Sequence, residues 1–155
     1  MSFSPHVTVA CIVEANQRFL LVEEFDRGTR VFNQPAGHLE AGESLIQAVT
    51  RELKEETGLE LEPDGLVGTY LFTSPHNGIT YLRFCFYCKL NQQPIGHRGD
   101  DPDGDIIACH WLTRQQIEKL DNLRSPLVLQ CLQDYLRGQR APLTLVQSDR
   151  DTSVQ

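Results

Sequence analysis

The chain has 155 residues, enough for one domain with a real core, and its 23% charged and 40% hydrophobic residues are ordinary for a globular protein. A formal net charge of −7 leaves no basic footprint for a nucleic-acid polymer, and an anionic substrate would need a counter-charge such as a bound metal. No apolar stretch reaches membrane-spanning length, the start MSFSPHVTV lacks a signal-peptide pattern, and five cysteines fit free thiols, so the expected setting is the cytoplasm with no membrane partner.

Residues 6–13 and 19–24 read as strands joined by a polar turn around Asn16. In the first, Val7, Val9, Cys11 and Val13 alternate with Thr8, Ala10 and Ile12, which predicts burial on both faces. Residues 31–34 form a short extended piece that ends at Pro35 and leads into a loop. A helix is predicted from Ser44 to about Thr57, because Ser44 and Gln47 make a capping box and Gly58 is a natural stop. Residues 66–73 and 79–89 then read as a hairpin that turns at Pro75-His76-Asn77-Gly78. Residues 91–105 are a loop rich in Gly, Pro and Asp, and 106–112 a last strand. Thr113 with Gln116 caps a short helix, and Ser125-Pro126 opens a longer one that ends near Arg137.

This order mixes strands and helices without regular alternation, which suits an α+β sandwich with a mixed sheet between helices. A single domain over residues 1–143 is expected, followed by a polar and poorly ordered tail over 144–155. Cys85 and Cys88 have metal-site spacing, but residues three apart on a strand face opposite sides, so core cysteines are the expectation.

The stretch from 37 to 59, GHLEAGESLIQAVTRELKEETGL, carries the chemistry. Glu52, Glu55 and Glu56 stand at i, i+3 and i+4, neighbours on one helix face, where three carboxylates repel one another unless a cation sits among them. A solvated acidic face is the competing reading. At about 100° per residue, however, Leu45, Val49 and Leu53 form the apolar stripe, and Glu52 and Glu56 lie about 20° to either side of Leu45. A helix should not bury bare carboxylates, and hard oxygen ligands suit Mg²⁺, with Mn²⁺ as a substitute.

The frame Gly37, Glu43, Arg51-Glu52-Leu53, Glu55-Glu56, Gly58-Leu59 resembles the signature of the Nudix hydrolases at every defining position. PHVTVACIV at 5–13, NQPAGHLE at 33–40, NLRSPLV at 122–128 and GQRAPL at 138–143 are similar to one subgroup of that family. The resemblance implies an α/β/α sandwich with a central mixed sheet. It also implies metal-dependent hydrolysis of nucleoside di- and triphosphates to monophosphates with release of orthophosphate, and activity on thiamine diphosphate and hydroxymethylpyrimidine diphosphate. By the family pattern Glu52 and Glu56 are the main metal ligands, Glu55 is a further one, and the Gly37 carbonyl completes the set. Arg51 and Glu43 form an ion pair that pins the loop to the helix. The general base is a helix acid, Glu52 or Glu55, or a distant loop acid for which Asp105 is the candidate; the competing reading is that Asp100, Asp101, Asp103 and Asp105 form a solvated loop.

For the substrate, Arg30, Arg83 and Arg124 can hold phosphate oxygens, with Arg83 set in an otherwise apolar strand, and His38 can donate to phosphate. Phe32, Tyr70 and Tyr81 either stack on a ring or fill the core. The expected partner is a small phosphorylated molecule, and a monomer is the default expectation. Hydrolysis of ADP-ribose or dinucleoside polyphosphates is the alternative activity. A non-catalytic nucleotide sensor is the third reading, disfavoured by the intact frame and by the lack of room for a second domain.

Overall fold

β1 (His6–Ala15) is the strand around which the fold assembles, and both its faces are buried as its alternation predicts. In the computed structural model, which describes residues 2–150, it is followed by β2 (Arg18–Asp26), β3 (Thr29–Asn33), β4 (Ala36–His38), α1 (Leu45–Thr57), β5 (Gly65–Thr73), β6 (Thr80–Leu90), β7 (Ile106–Thr113), α2 (Arg114–Glu118) and α3 (Pro126–Leu136). β1 runs parallel to β6 along its whole length, from His6 beside Tyr81 to Ala15 beside Leu90, and β6 pairs antiparallel with the edge strand β5. The other side of β1 is shared. Its first half, Thr8 to Ala10, takes β4, while its end, Glu14 and Ala15, takes β2, which carries β3 and β7. The sheet is therefore mixed and splits along β1, and the split is where a site can form.

Alternation along β1 divides the core into two layers. Val9, Cys11 and Val13 pack with Ala48, Val49 and Leu53 of α1. Ala10 and Ile12 face the other way and pack with Ile117, Val128, Cys131 and Leu132 of α2 and α3. The result is the expected α/β/α sandwich. Cys85 lies in the α3-side layer and Cys88 in the α1-side layer, and all five cysteines are free.

Helix α1 starts and stops where its caps dictate. The Ser44 hydroxyl accepts from the Gln47 amide at 3.1 Å, the Gln47 side chain accepts from the Ser44 amide at 2.9 Å, and Gly58 closes the helix at a left-handed φ of 78°. Two features differ from the sequence reading. Residues 36–38, expected within a loop, form β4, because the β1 backbone offers hydrogen bonds that no local pattern reveals. The segment after 143 also meets the body: Leu143–Leu145 make a 3-10 turn, and Val146 is buried in the α1-side core. The last five residues of the expected tail, 151–155, lie outside the described residues. Among the described residues no helix is long and apolar enough to cross a membrane.

Candidate active site

The acids of α1 meet the sheet at β4. Glu56 accepts a hydrogen bond from the Ala36 amide at 3.0 Å. Glu52 lies directly against Gly37: a Cβ at that position would stand 2.2 Å from its carboxyl carbon and from one of its oxygens. Only glycine leaves room for a carboxylate there, a close-approach role that needs no unusual φ. Glu55 sits one turn along, with its side chain 30% exposed.

Arg51 is the hub of this cluster. Its Nε and Nη2 grip both carboxylate oxygens of Glu43, at 3.1 and 2.8 Å, and Nη2 also donates to the His38 carbonyl at 3.0 Å. Nη1 reaches Glu52 at 2.6 Å and Glu55 at 3.1 Å. One guanidinium therefore ties the 38–43 loop to the helix and balances part of the acidic face. A bidentate grip of this kind holds geometry as well as charge. The Arg51 hydrogen bond keeps Glu43 below its ordinary pKa, and the same bond stabilises the arginine cation.

The remaining acids are short of counter-charge. Burial raises Glu52 to about 7, although Arg51 acts in the opposite direction. Burial also lifts Glu56 well above the carboxylate range, against the Ala36 hydrogen bond that favours its ionised form. Glu56 has no ion-pair partner among the described residues. A largely buried carboxylate held by one backbone N–H, beside two more acids and a glycine cradle, is a donor set that fits a hard divalent cation. Among the described residues no three such side chains already converge on one point, and Arg51 holds one oxygen each of Glu52 and Glu55.

On the other side of β4 lies a cleft of about 590 Å³, lined in part by Gly37, His38, Tyr81, Arg83 and Arg124. Gly37 belongs to both the cleft and the acidic cluster. Strand parity decides which predicted contacts reach the cleft. On β3, Thr29, Val31 and Asn33 line it, whereas Arg30 and Phe32 do not. Arg30 instead lies 3.5 Å from Glu23, 63% exposed, and Phe32 packs against His110. Tyr70 is likewise structural, donating to Asp134 of α3 at 2.7 Å. His38 shares a 3.1 Å ring contact with His6, and burial together with His6 and Arg124 lowers its pKa.

Among the described residues Asp105 makes no side-chain hydrogen bond or ion pair to the acids of α1. Its side chain is exposed, it does not line the cleft, and its backbone carbonyl accepts from the Phe25 amide at 3.0 Å. The loop that carries it is not simply solvated, however. The Asp101 amide donates to the Glu55 carbonyl at 2.8 Å, the Asp101 carboxylate accepts from the Ile106 amide at 3.1 Å, and Gly99 packs against the backbone of Glu55 and Glu56. His97 bridges the Thr57 carbonyl, at 2.8 Å, and the Trp111 indole N–H, at 3.0 Å. The loop thus buttresses the C-terminal end of α1.

Residues 4–131 match the NUDIX domain family. The chain belongs to this family. It is 44% identical to the phosphatase NudJ of Shigella boydii serotype 4 (strain Sb227) over 148 residues, which cover 93% of this chain and 92% of that protein. The phosphatase NudJ of Escherichia coli K12 is 43% identical over the same lengths. A Nudix hydrolase from Nitrosomonas europaea superposes with a TM-score of 0.86 at 43% identity, covering 96% of this chain and all of that one. The chain is accordingly a Nudix hydrolase, an enzyme that acts on diphosphate bonds, and enzymes of this family generally use divalent metals.

One Nudix-site neighbour escaped the sequence reading. Glu24 is 4% exposed, pairs with Arg124 at 2.6 Å, and adds to the electrostatic pressure on Glu56. The signal was present in LLVEEFD: on a strand covered on both sides, two adjacent acids cannot both face solvent.

Proposed function

We propose that this Nudix enzyme takes nucleoside di- and triphosphates to monophosphates with release of orthophosphate. We further propose that it accepts thiamine diphosphate and hydroxymethylpyrimidine diphosphate, and that it works in the cytoplasm as a monomer with Mg²⁺, for which Mn²⁺ can substitute. Likeness to the NudJ phosphatases over nearly the whole chain supports this reading. The observation that carries it is the position of Gly37, with the under-compensated acids Glu52 and Glu56 on one side and an arginine-lined cleft on the other.

In this reading Glu52, Glu55, Glu56 and the Gly37 carbonyl hold the divalent ion. When bound, the ion neutralises phosphate charge and makes water a better nucleophile. Glu52 accepts the proton of the attacking water, and Glu55 is the alternative acceptor on the same face. The exposure of Asp105 favours these helix acids over the loop acid as base. Arg51 and Glu43 keep the 38–43 loop, and so Gly37, in place. The cleft arginines orient the phosphates.

Chromatography of a nucleoside triphosphate digest in Mg²⁺ tests the assignment. The diphosphate should appear before the monophosphate, with orthophosphate as the inorganic product. Dominant pyrophosphate release would contradict it, as would faster turnover of ADP-ribose or a dinucleoside polyphosphate.

A further inference from the structure

Arg83 is 6% exposed on the floor of the cleft and, among the described residues, has no carboxylate within ion-pair distance. Its neighbours in the cleft differ. Arg124 is already balanced by Glu24 at 2.6 Å and Asp26 at 3.8 Å, and Arg27 lies at the exposed rim. Arg83 is held by neutral groups instead. Its Nη2 donates to the Gln34 side-chain Oε1 at 2.5 Å, its Nη1 stands 3.5 Å from the Asn33 side-chain Oδ1, and its Nε has no hydrogen-bond partner among the described residues. Gln34 is itself fixed, because its Nε2 donates to the Val128 carbonyl of α3 at 2.8 Å. The thiols of Cys85 and Cys131 also lie against the guanidinium, and the Cys85 contact together with the Arg83 charge draws the Cys131 thiol pKa down.

A guanidinium has five N–H donors, and here two amide oxygens are offered to it. A buried cation without a counter-ion is destabilising, and such a group in a cleft marks a place where a ligand can supply the missing charge. Position indicates which ligand. Arg83 stands in register with Thr8 of β1, and Thr8 with His38 of β4, so the guanidinium is two strands from the Gly37 seam, about 10 Å of backbone separation. Gly37 and Arg83 line the same cleft. Pro126 and the capped amide of Leu127 close the adjoining wall of the cleft, so α3 contributes its dipole there but no free Leu127 N–H.

We propose that Arg83 is a specificity determinant that binds the free terminal phosphate of the substrate, so that the cleft favours diphosphates ending in an unsubstituted phosphoryl group over diphosphates esterified at both ends. This rests on the hydrolase reading above and adds to it which end of the molecule lies on the cleft floor. A terminal phosphate offers three oxygens and close to two negative charges to a planar fork, whereas an internal, doubly esterified phosphate offers two oxygens and one charge.

The test compares ADP with ADP-ribose on the same protein preparations. Arg83→Gln should lower kcat/KM for ADP by about a hundredfold, the value of one or two charge-assisted hydrogen bonds, and for ADP-ribose by less than about threefold. Arg83→Lys should recover part of the preference. Because each variant is assayed on both substrates, the ratio is insensitive to a misfolded fraction. If the variants do not fold, the wild-type protein still decides: orthophosphate should compete with ADP at least about tenfold better than dimethyl phosphate, which has two free oxygens and one charge, does. Equal losses on both substrates, equal inhibition by the two phosphates, or a changed preference among nucleobases with the ADP to ADP-ribose ratio intact would each overturn the assignment. Absence of any Mg²⁺-dependent turnover would instead sink the hydrolase reading, and orthophosphate protection of the metal-free protein against heat would still report on the anion site.

Discussion

Gly37→Ala is the smallest change that should disable the site while sparing the fold. The added Cβ would stand 2.2 Å from the Glu52 carboxyl carbon, and ordinary contacts begin at 3.4 Å, so the carboxylate must retreat by about 1.2 Å. The backbone at 37 needs no left-handed φ, and the group in the way is the end of a flexible side chain, so relief by rotation costs roughly 0.5–1.5 kcal/mol. A displacement of about 1 Å at a reacting centre is enough to lose on the order of a hundredfold in rate, or about 2.7 kcal/mol. Steady-state turnover of a nucleoside diphosphate in saturating Mg²⁺ and the thermal midpoint, measured together, separate the two effects. We expect turnover to fall by about a hundredfold with a midpoint shift of a few degrees. Normal turnover would refute the placement of Glu52 as a working group, and a collapsed midpoint would make Gly37 a folding residue instead.

Glu56→Gln should remove a buried, unpaired carboxylate, so the metal-free protein should melt higher while turnover falls by about a thousandfold, a loss of about 4 kcal/mol; normal kinetics would remove Glu56 from the site. Arg51→Ala should lower the metal-free melting temperature by releasing Glu43 and the 38–43 loop, and it should shrink the added stabilisation by Mg²⁺; lost activity with both melts unchanged would mean that Arg51 touches substrate. The pH dependence of stability follows from Glu52. Its folded value is raised to about 7 from 4.5, so the folded chain holds this proton more tightly than the unfolded chain does. That contribution is fully present below about 4.5 and is lost as pH rises through about 7, with Glu56 acting in the same direction. Because metal binds the ionised acids, the Mg²⁺-induced rise in melting temperature should grow over the same window, and a rise that shrinks with pH would contradict the ligand set. Asp105→Asn should change kcat by less than about threefold, and a large loss in kcat at constant KM would return the base to the loop.

Much of the helix that carries the site was legible because its signals are local. Ser44 and Gln47 cap it, Gly58 ends it, and the spacing of Leu45, Val49 and Leu53 orients it, which also fixes where Glu52 and Glu56 point. What surrounds the helix depends on pairings distant in sequence. β4 exists because three residues after Pro35 find the edge of β1, and Pro35 itself lends its carbonyl to the Cys11 amide at 3.0 Å. Arg124 and Glu24 are a hundred residues apart, and no local pattern joins them. The arginines show the limit well. Both Arg30 and Arg83 are candidate phosphate contacts in the sequence, with only Arg83 marked out by its apolar strand; the parity of β3 turns Arg30 to Glu23, while β6 sets Arg83 in the cleft. The loop from 91 to 105 read as open and acidic, yet Gly99 and Asp101 seat it against the end of α1. Its composition records the acids but not the close backbone approach.

The central claim is that the acids of α1 at the Gly37 seam hold the divalent ion that turnover requires. Titration of Mn²⁺ into the protein, followed by electron paramagnetic resonance of the free ion, measures this directly. The wild-type chain should bind Mn²⁺ with the free signal suppressed, and chelator should abolish turnover in step with release of the ion. Glu52→Gln combined with Glu56→Gln should leave the free-ion signal close to that of buffer while the protein remains folded. Undiminished Mn²⁺ binding by the folded double variant, or full wild-type turnover in excess chelator, would contradict the account.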